Sequence, residues 1–555
     1  MQIIAAALSA VLLAAPSAPN PDPDLGRDLK HKPARPHSLA DDVPPGWESL
    51  ERDARTLIYR RTAVATTPST GPGAGTRSDF DGDGKDDEAA FSDAGVLLRY
   101  SSAPHLDHLY TDMPEGGCVC FGYPMAYGNF NGDGYDDLAI ADQGEIDTTT
   151  AGFHAGAVWI FSGGPDGLQI ESVQHINQST PGVPGASEEG DWFGASLAAG
   201  DITGDGRDEL AVGIPAESLG SAERAGGVVV LAGSPTGLVT TGAQWIDQST
   251  TGVPGTPETD DIFGYGLAIG KVDKNNYAEL LIGAPVENEG DLNDGSGLVT
   301  QLWGSAAGAS LTGVTSVGGE AVTATANVTG LYAWMLGLTI GVTDTNGDGY
   351  GEVIVGDRGA EVNWGIAPGA VVSLAGRSSG LSATGVKVLT QDSAGVAGAA
   401  ETDDWFGDSI SVGDVTGDGL GDVLVGVPGE DVGTTADAGS VALLRGSSGG
   451  LTGTNSQTLD SSSALVPGAA ETMDSFGEAV ATLNLDGAGP MEALVSTPGE
   501  EVTGDDPGYP SGAVTTFPGG AGGLGQGVTT SGKSLVPAGE YMGRYGLFLA
   551  GPQGS

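Results

Sequence analysis

The chain has 555 residues, of which 96 are Gly and only two are Cys, and it carries a formal net charge of −52. Such acidity argues against nucleic acid or an anionic membrane as partner, and the absence of a Gly-X-Y period or helical heptads excludes collagen and coiled coil. Apolar residues come in runs of four to seven bounded by Gly, Pro and Asp, the pattern of many short strands joined by turns, and a chain this long needs a repetitive core.

From the N-terminus, the apolar stretch Ile3 to Ala15 followed by Pro16-Ser17-Ala18 reads as a secretory signal peptide over residues 1–18, although no Lys or Arg follows Met1. The expected location is therefore secreted, extracellular. Residues 19–78 form a linker rich in Pro and charge, holding eight of the 21 Lys and Arg residues between Arg27 and Arg61. Its Trp47 to Tyr59 segment has enough apolar side chains to dock, with no sign of where. No later stretch approaches the roughly 20 apolar residues of a membrane span. Cys118 and Cys120, one residue apart, could close a small strained disulfide or remain thiols. Two soft ligands alone do not make a zinc site.

The repeats begin at Asp79-Phe80-Asp81-Gly82-Asp83-Gly84-Lys85-Asp86-Asp87, with carboxylates at positions 1, 3, 5 and 9. Copies follow at Asn129, Asp201, Lys271, Asp344, Asp414 and Asn484, spaced by 70 to 73 residues from Asn129 onward. A fixed period of that length means stacked supersecondary units. Hard oxygen donors at alternating positions, with Gly at the sharp turn, are what a calcium ion takes from a short loop. Five loops keep a full set: Asp79, Asp81, Asp83 and Asp87; Asn129, Asn131, Asp133 and Asp137; Asp201, Thr203, Asp205 and Glu209; Asp344, Asn346, Asp348 and Glu352; Asp414, Thr416, Asp418 and Asp422. About five Ca2+ sites are expected on this donor pattern. Two loops have decayed. Lys271, Asp273, Asn275 and Glu279 include an ammonium that could take the ion's place, and Asn484, Asp486, Ala488 and Glu492 lack the central ligand.

Within each repeat a Phe-Gly pair stands eight residues before the acidic loop, at Phe121, Phe193, Phe263, Phe406 and Phe476, with Leu336-Gly337 in repeat five. After the loop comes an apolar run such as Leu210 to Pro215, then a third strand such as Ala157 to Phe161, a Gly-rich turn and a weaker fourth strand. Four short antiparallel strands per period make a propeller blade. The expected fold is all-β, a seven-bladed β-propeller over residues 79–555, with loop-bearing repeats starting near 79, 121, 193, 263, 336, 406 and 476. The first loop has no Phe-Gly before it, and Tyr545 to Ala550 matches the missing strand, so N/C-terminal strand closure is expected.

Phe-Gly, the acidic loop, and Gly-x-Pro at Gly213, Gly283 and Gly426 together resemble the FG-GAP repeat, a family that includes the propeller at the head of integrin α chains. The resemblance implies ions held in a hairpin on the lower face, where they brace each blade, so the loops are structural rather than catalytic. On the other face it places two recurring acidic sets. One is Glu145, Glu217, Glu287, Glu430 and Glu500, with Glu361 one residue later; the other precedes Phe-Gly, as at Glu258 to Asp261 and Glu401 to Asp404. Such a ring could contact a basic partner or bridging cation, but a residue repeated in every blade more readily does the same structural work in each. Singular residues are better ligand candidates. Repeat five substitutes Leu331-Tyr332-Ala333-Trp334-Met335, with Trp364 nearby, and exposed aromatics can anchor a sugar or protein. The leading expectation is an extracellular binding or adhesion module with a protein or glycan ligand. A secreted scaffold, or a polysaccharide-acting lyase or hydrolase on a calcium-stabilised propeller, are the alternatives. Against an enzyme, the six His residues share no motif, and no nucleophile elbow, zinc motif or phosphate loop is present.

Overall fold

The structure, a computed structural model, describes residues 47–51, 56–61, 78–92, 95–101, 106–111, 121–145, 154–288, 295–326, 328–362, 367–502, 505, 510–535, 544–546 and 549. The signal-peptide stretch, Cys118, Cys120 and Trp364 lie outside the described residues. No described helix is long and apolar enough to cross a membrane.

Six four-stranded antiparallel blades form a propeller, each pairing its strands in chain order. They are named here by their first strands: Phe121–Gly128, Ser196–Gly200, Gly266–Gly270, Thr339–Thr343, Ile410–Gly413 and Val480–Leu483. In the Ser196 blade that strand pairs with Glu209–Ile214, from Ser196 opposite Gly213 to Gly200 opposite Glu209, so the acidic hairpin closes one end of the sheet. Gly227–Ser234 and Gly237–Ile246 complete the blade, with a bulge between Val230 and Ala232. Similar bulges in the third strands of the Phe121, Gly266 and Ile410 blades add the local twist that a blade needs.

The expected count of seven blades is corrected to six. The first repeat lies instead in a five-stranded sheet ordered Trp47–Glu51, Thr56–Arg61, Leu106–Thr111, Gly95–Arg99, Glu88–Ser92. The physical reason is the missing Phe-Gly strand. With no inner strand of its own, this repeat gains two strands at the outer edge from the Trp47–Tyr59 region, whose docking place is thereby found. At the inner edge Leu549 bridges to Ala90, and the Gly546 N–H donates to the Phe91 carbonyl. Ala90 and Leu97 pack with Ala481, Leu494, Val514 and Tyr545 on one side. On the other, Phe91 and Val96 pack with Phe121, Leu138 and Phe161. The sheet therefore sits between the Val480 and Phe121 blades.

The repeated motif has a steric cause. In five of the blades the residue before the Phe-Gly pair or its Leu336 counterpart has positive φ, as does the residue before Tyr545: Trp192, Ile262, Met335, Trp405, Ser475 and Arg544. For Ile262 that is a strained conformation. The following aromatic is buried, Phe193, Phe263 and Phe406 completely, contributing about 1.5–3 kcal/mol each. Its N–H bonds the preceding blade's third-strand entry, as Phe263 does to Ala225. Opposite it, a Cβ on Gly226 would lie 2.2 Å from the Phe263 carbonyl oxygen, so only Gly fits there.

Candidate functional site

The acidic loops all lie at the strand ends away from Phe-Gly, and backbone bonds tie them into a circle. The carbonyl at position 1 accepts from position 8 of a neighbouring loop: Asp136 to Asp79, Asp208 to Asn129, Ala278 to Asp201, Gly351 to Lys271, Gly421 to Asp344, Met491 to Asp414, and finally Asp86 to Asn484. In three places the position-8 carboxylate also accepts the position-1 N–H: Asp136 from Asp79 at 3.0 Å, Asp208 from Asn129 at 2.8 Å and Asp86 from Asn484 at 2.7 Å. These three Asp were not singled out by the sequence, because their partners lie in other repeats.

In the Asp79 loop the carboxylates of Asp79, Asp81 and Asp87 come within 4.8 Å of one another, an arrangement that could hold a metal ion. Gly84 and Asp83 N–H groups donate to Asp79, and Phe80 N–H to Asp87. Burial, and the neighbouring Asp83 and Asp81 carboxylates, push Asp79 up to about 6, and burial with Asp81 holds Asp87 well above the usual carboxylate range. An all-oxygen donor set with several carboxylates fits a hard cation such as Ca2+, whose charge would offset that repulsion. Asp83 turns its Oδ1 to the Lys85 N–H.

Among the described residues the other loops do not bring three acids so close. Asp201 accepts from Asp205 and Gly206, Thr203 N–H and Oγ1 donate to Glu209, and the Arg207 guanidinium pairs with Asp205. In the Asp344 loop Asn346 donates to Glu352 at 2.7 Å, and Asp348 accepts the Tyr350 N–H. Asp414 accepts from Gly417 and Gly419, Asp418 from Leu420, and Asp422 from Thr416. Asn129, Asn131 and Asp133 accept from Gly132, Asp133 and Tyr135, while Asp137 caps Phe130 and Gly163. Burial raises Asp137 and Glu209 to about 7. In the decayed loop Lys271 is exposed, and Glu279 accepts the Val272 N–H.

At the opposite strand ends the recurring acids have definite partners. Asp191, Asp261, Asp404 and Asp474 accept the N–H of Glu188, Glu258, Glu401 and Glu471, each three residues earlier. Glu217, Glu287 and Glu430 accept from the amides of Gln178, Gln248 and Gln391, each 39 residues earlier and in the preceding blade. Sequence reading overlooked these Gln residues, which look like ordinary loop polars. The Tyr332 and Trp334 rings are partly buried, with centroids 6.3 Å apart, and Leu331–Tyr332 pairs with Glu361–Val362. His175 lies 3.1 Å from Glu145 and against the Trp159 ring, a contact that scattered positions in the sequence gave no hint of.

Around the propeller axis a cavity is lined by residues at or just before the start of five inner strands and by Tyr123, Pro124 and Met125 of the sixth. The residue after each Phe-Gly or Leu-Gly pair changes from blade to blade: Tyr123, Ala195, Tyr265, Leu338, Asp408 and Glu478. Arg358 reaches in as well, donating to Asp408 at 2.9 Å with its guanidinium 5.7 Å from the Trp405 ring centre.

A family profile described as FG-GAP repeat matches residues 193–231 and 406–444. Integrin alpha-PS2 of Drosophila melanogaster is 31% identical over 219 residues, 37% of this chain and 14% of that protein. Integrin alpha-6 of Gallus gallus is 28% identical over 35% of this chain and 16% of its own, and integrin alpha-5 of Xenopus laevis 30% over 32% and 16%. The chain thus covers less than a fifth of these relatives' length. Two solved structures, the rhamnogalacturonan lyase YesW and the exotype rhamnogalacturonan lyase YesX, are similar with TM-scores of 0.32 and 0.34 at 13% and 11% identity. They cover 88% and 87% of this chain and 76% and 74% of theirs, a likeness too loose to argue from.

Proposed function

We propose, from a chain that carries FG-GAP repeats similar to those of integrin alpha chains, that this protein is a secreted, calcium-stabilised extracellular binding module. Its partner is a protein or glycan taken at the Phe-Gly face. About five of the acidic loops hold Ca2+ for shape rather than for chemistry, through Asp79, Asp81, Asp83 and Asp87 and their equivalents in the Asn129, Asp201, Asp344 and Asp414 loops.

The observation that carries this reading is the axial cavity. Nearly everything else in the propeller repeats from blade to blade, and a repeated residue cannot mark one ligand. The axial position changes from each blade to the next, gathering Tyr123, Tyr265, Asp408, Glu478 and the Arg358 guanidinium around one opening. Aromatic faces beside directed charges favour an oriented ligand over simple packing.

The test is a protein and glycan array probed with the full chain, with and without calcium, followed by Tyr265→Ala and by Tyr332→Ala with Trp334→Ala. Loss of binding by a folded Tyr265→Ala chain supports the axial site. Unaltered binding by that variant rejects it. Turnover of a soluble polysaccharide, abolished by changing one acid, would replace the binding reading with the lyase or hydrolase alternative.

A further inference from the structure

The Gln and acid pairs on the Phe-Gly face build boxes between neighbouring blades. In one, Gln178 follows the outer strand Gln169–Ile176 of the Phe121 blade, and Asp191 and Glu217 flank the first hairpin of the Ser196 blade. Gln178 Nε2 donates to Glu217 Oε2 at 2.8 Å, and the Glu188 N–H to Asp191 Oδ2 at 2.7 Å. The same construction recurs with Gln391, Asp404 and Glu430, where the Glu401 N–H donates to Asp404 at 2.7 Å.

The charge in each box is one-signed. Asp191, Glu188 and Asp247 all act on Glu217, and Asp404, Glu401 and Asp460 on Glu430. Burial leaves little water to screen most of them: Gln178 and Gln391 are each 3% exposed, Asp191 3%, Asp404 2% and Glu217 8%, while Glu430 is partly exposed. A separate observation points to a missing positive group. The amide Oε1 atoms of Gln178 and Gln391, whose Nε2 atoms bond the box carboxylates, have no hydrogen-bond partner among the described residues, and Gln248 Oε1 repeats this at the junction of the Ser196 and Gly266 blades. Buried oxygens of this kind call for an explanation.

We propose that the boxes Gln178–Asp191–Glu217 and Gln391–Asp404–Glu430 are a second set of hard-cation sites, each clamping two neighbouring blades on the face away from the acidic loops. A proton on Glu217 or Glu430 would relieve the repulsion and could also donate to the amide oxygen, so ion count and acid-stability profile are what separate a proton from a cation. Water would pair the amide but leave the charge. A divalent cation such as calcium answers both, and every donor offered is a hard oxygen. Because Gln178 and Gln391 belong to the preceding blade, the ion would resist sliding of one blade past the next.

The test counts calcium bound per full-length chain by equilibrium dialysis and elemental analysis. Glu217→Gln and Glu430→Gln should each lose one ion, and the double variant two, additively with the loop variant Asp83→Asn. Gln178→Met, which keeps every charge and a similar volume, should weaken one site and serves if a Glu variant fails to fold. Ion counts equal to the parent in the folded Glu variants would overturn the proposal. So would an unchanged count accompanied by a shifted acid-stability profile, which would mark the boxes as proton-sharing pairs.

Discussion

Gly426 lies within the strand Asp422–Val427, where the next blade comes so close that an added Cβ would stand 2.0 Å from the Gly477 carbonyl oxygen and 2.2 Å from Ser409 Oγ. The serine hydroxyl can rotate away. The carbonyl cannot, because Gly477 is held by its own N–H bond to Ser496, and the Gly426 carbonyl accepts from Gly407. Reaching ordinary van der Waals contact would move one blade against the other by over an ångström. Overpacking costs about 1–3 kcal/mol and occasionally more, and a backbone obstacle puts Gly426→Ala at the upper end, about 3 kcal/mol or above. Gly433→Ala is the control: φ is 69° with no atom within 4 Å of the new Cβ, so only the left-handed strain of about 1–2 kcal/mol applies. Urea unfolding of both variants, compared at a common slope, measures the difference. A Gly426→Ala midpoint equal to or above that of Gly433→Ala would refute the idea that close blade approach dictates the second glycine of the repeat.

Calcium should raise the melting temperature and chelation lower it, each filled site contributing roughly 0.4–1.4 kcal/mol at one to ten times its Kd; a melt indifferent to EDTA would count against the loops as ion sites. Asp83→Ala should reduce the calcium response, whereas changes at Asp273 should leave ion count unaltered. Tyr545 is fully buried and its hydroxyl bonds Glu88, itself paired with Arg99. Tyr545→Phe should therefore cost about 1–3 kcal/mol, and removal of residues 541–555 should speed proteolysis of the first repeat; unchanged digestion would reject the closure. Asp142 is pushed up from 3.8 to about 7 by burial and by Glu145. Its folded form holds a proton that the unfolded chain releases earlier, so its contribution is fullest below pH 3.8 and is lost as pH rises to about 7. Asp142→Asn should accordingly gain stability over the parent across that window and hold a constant advantage above it, as read by melts from pH 4 to 8.

The acidic loops and Phe-Gly pairs were legible because each is a local pattern with a local cause: alternate oxygens around one turn, and a glycine where another backbone approaches. The blade count was not. Whether the Asp79 repeat becomes an ordinary blade depends on pairing with Trp47–Glu51, Thr56–Arg61 and Leu549, contacts between distant parts of the chain that no local period records. The same limit hid Asp86, Asp136 and Asp208, which read as surplus charge until their partners in other repeats came into contact. Loop composition was legible but not side-chain pairing, since the Arg207 guanidinium bonds Asp205 of its own loop.

The circle of loop-to-loop bonds closes through Asp86 and Asn484, residues 398 apart in sequence. An open stack of repeats has two outermost units that need special polar caps. A closed circle has none, and its covalent start is merely where the chain happens to be cut. Joining the two ends and reopening the chain at another polar loop, such as the exposed turn around Gly433, would leave the loop-to-loop contacts in the same cyclic order. The order of repeats along the gene is then free to rotate, while their order around the axis is fixed.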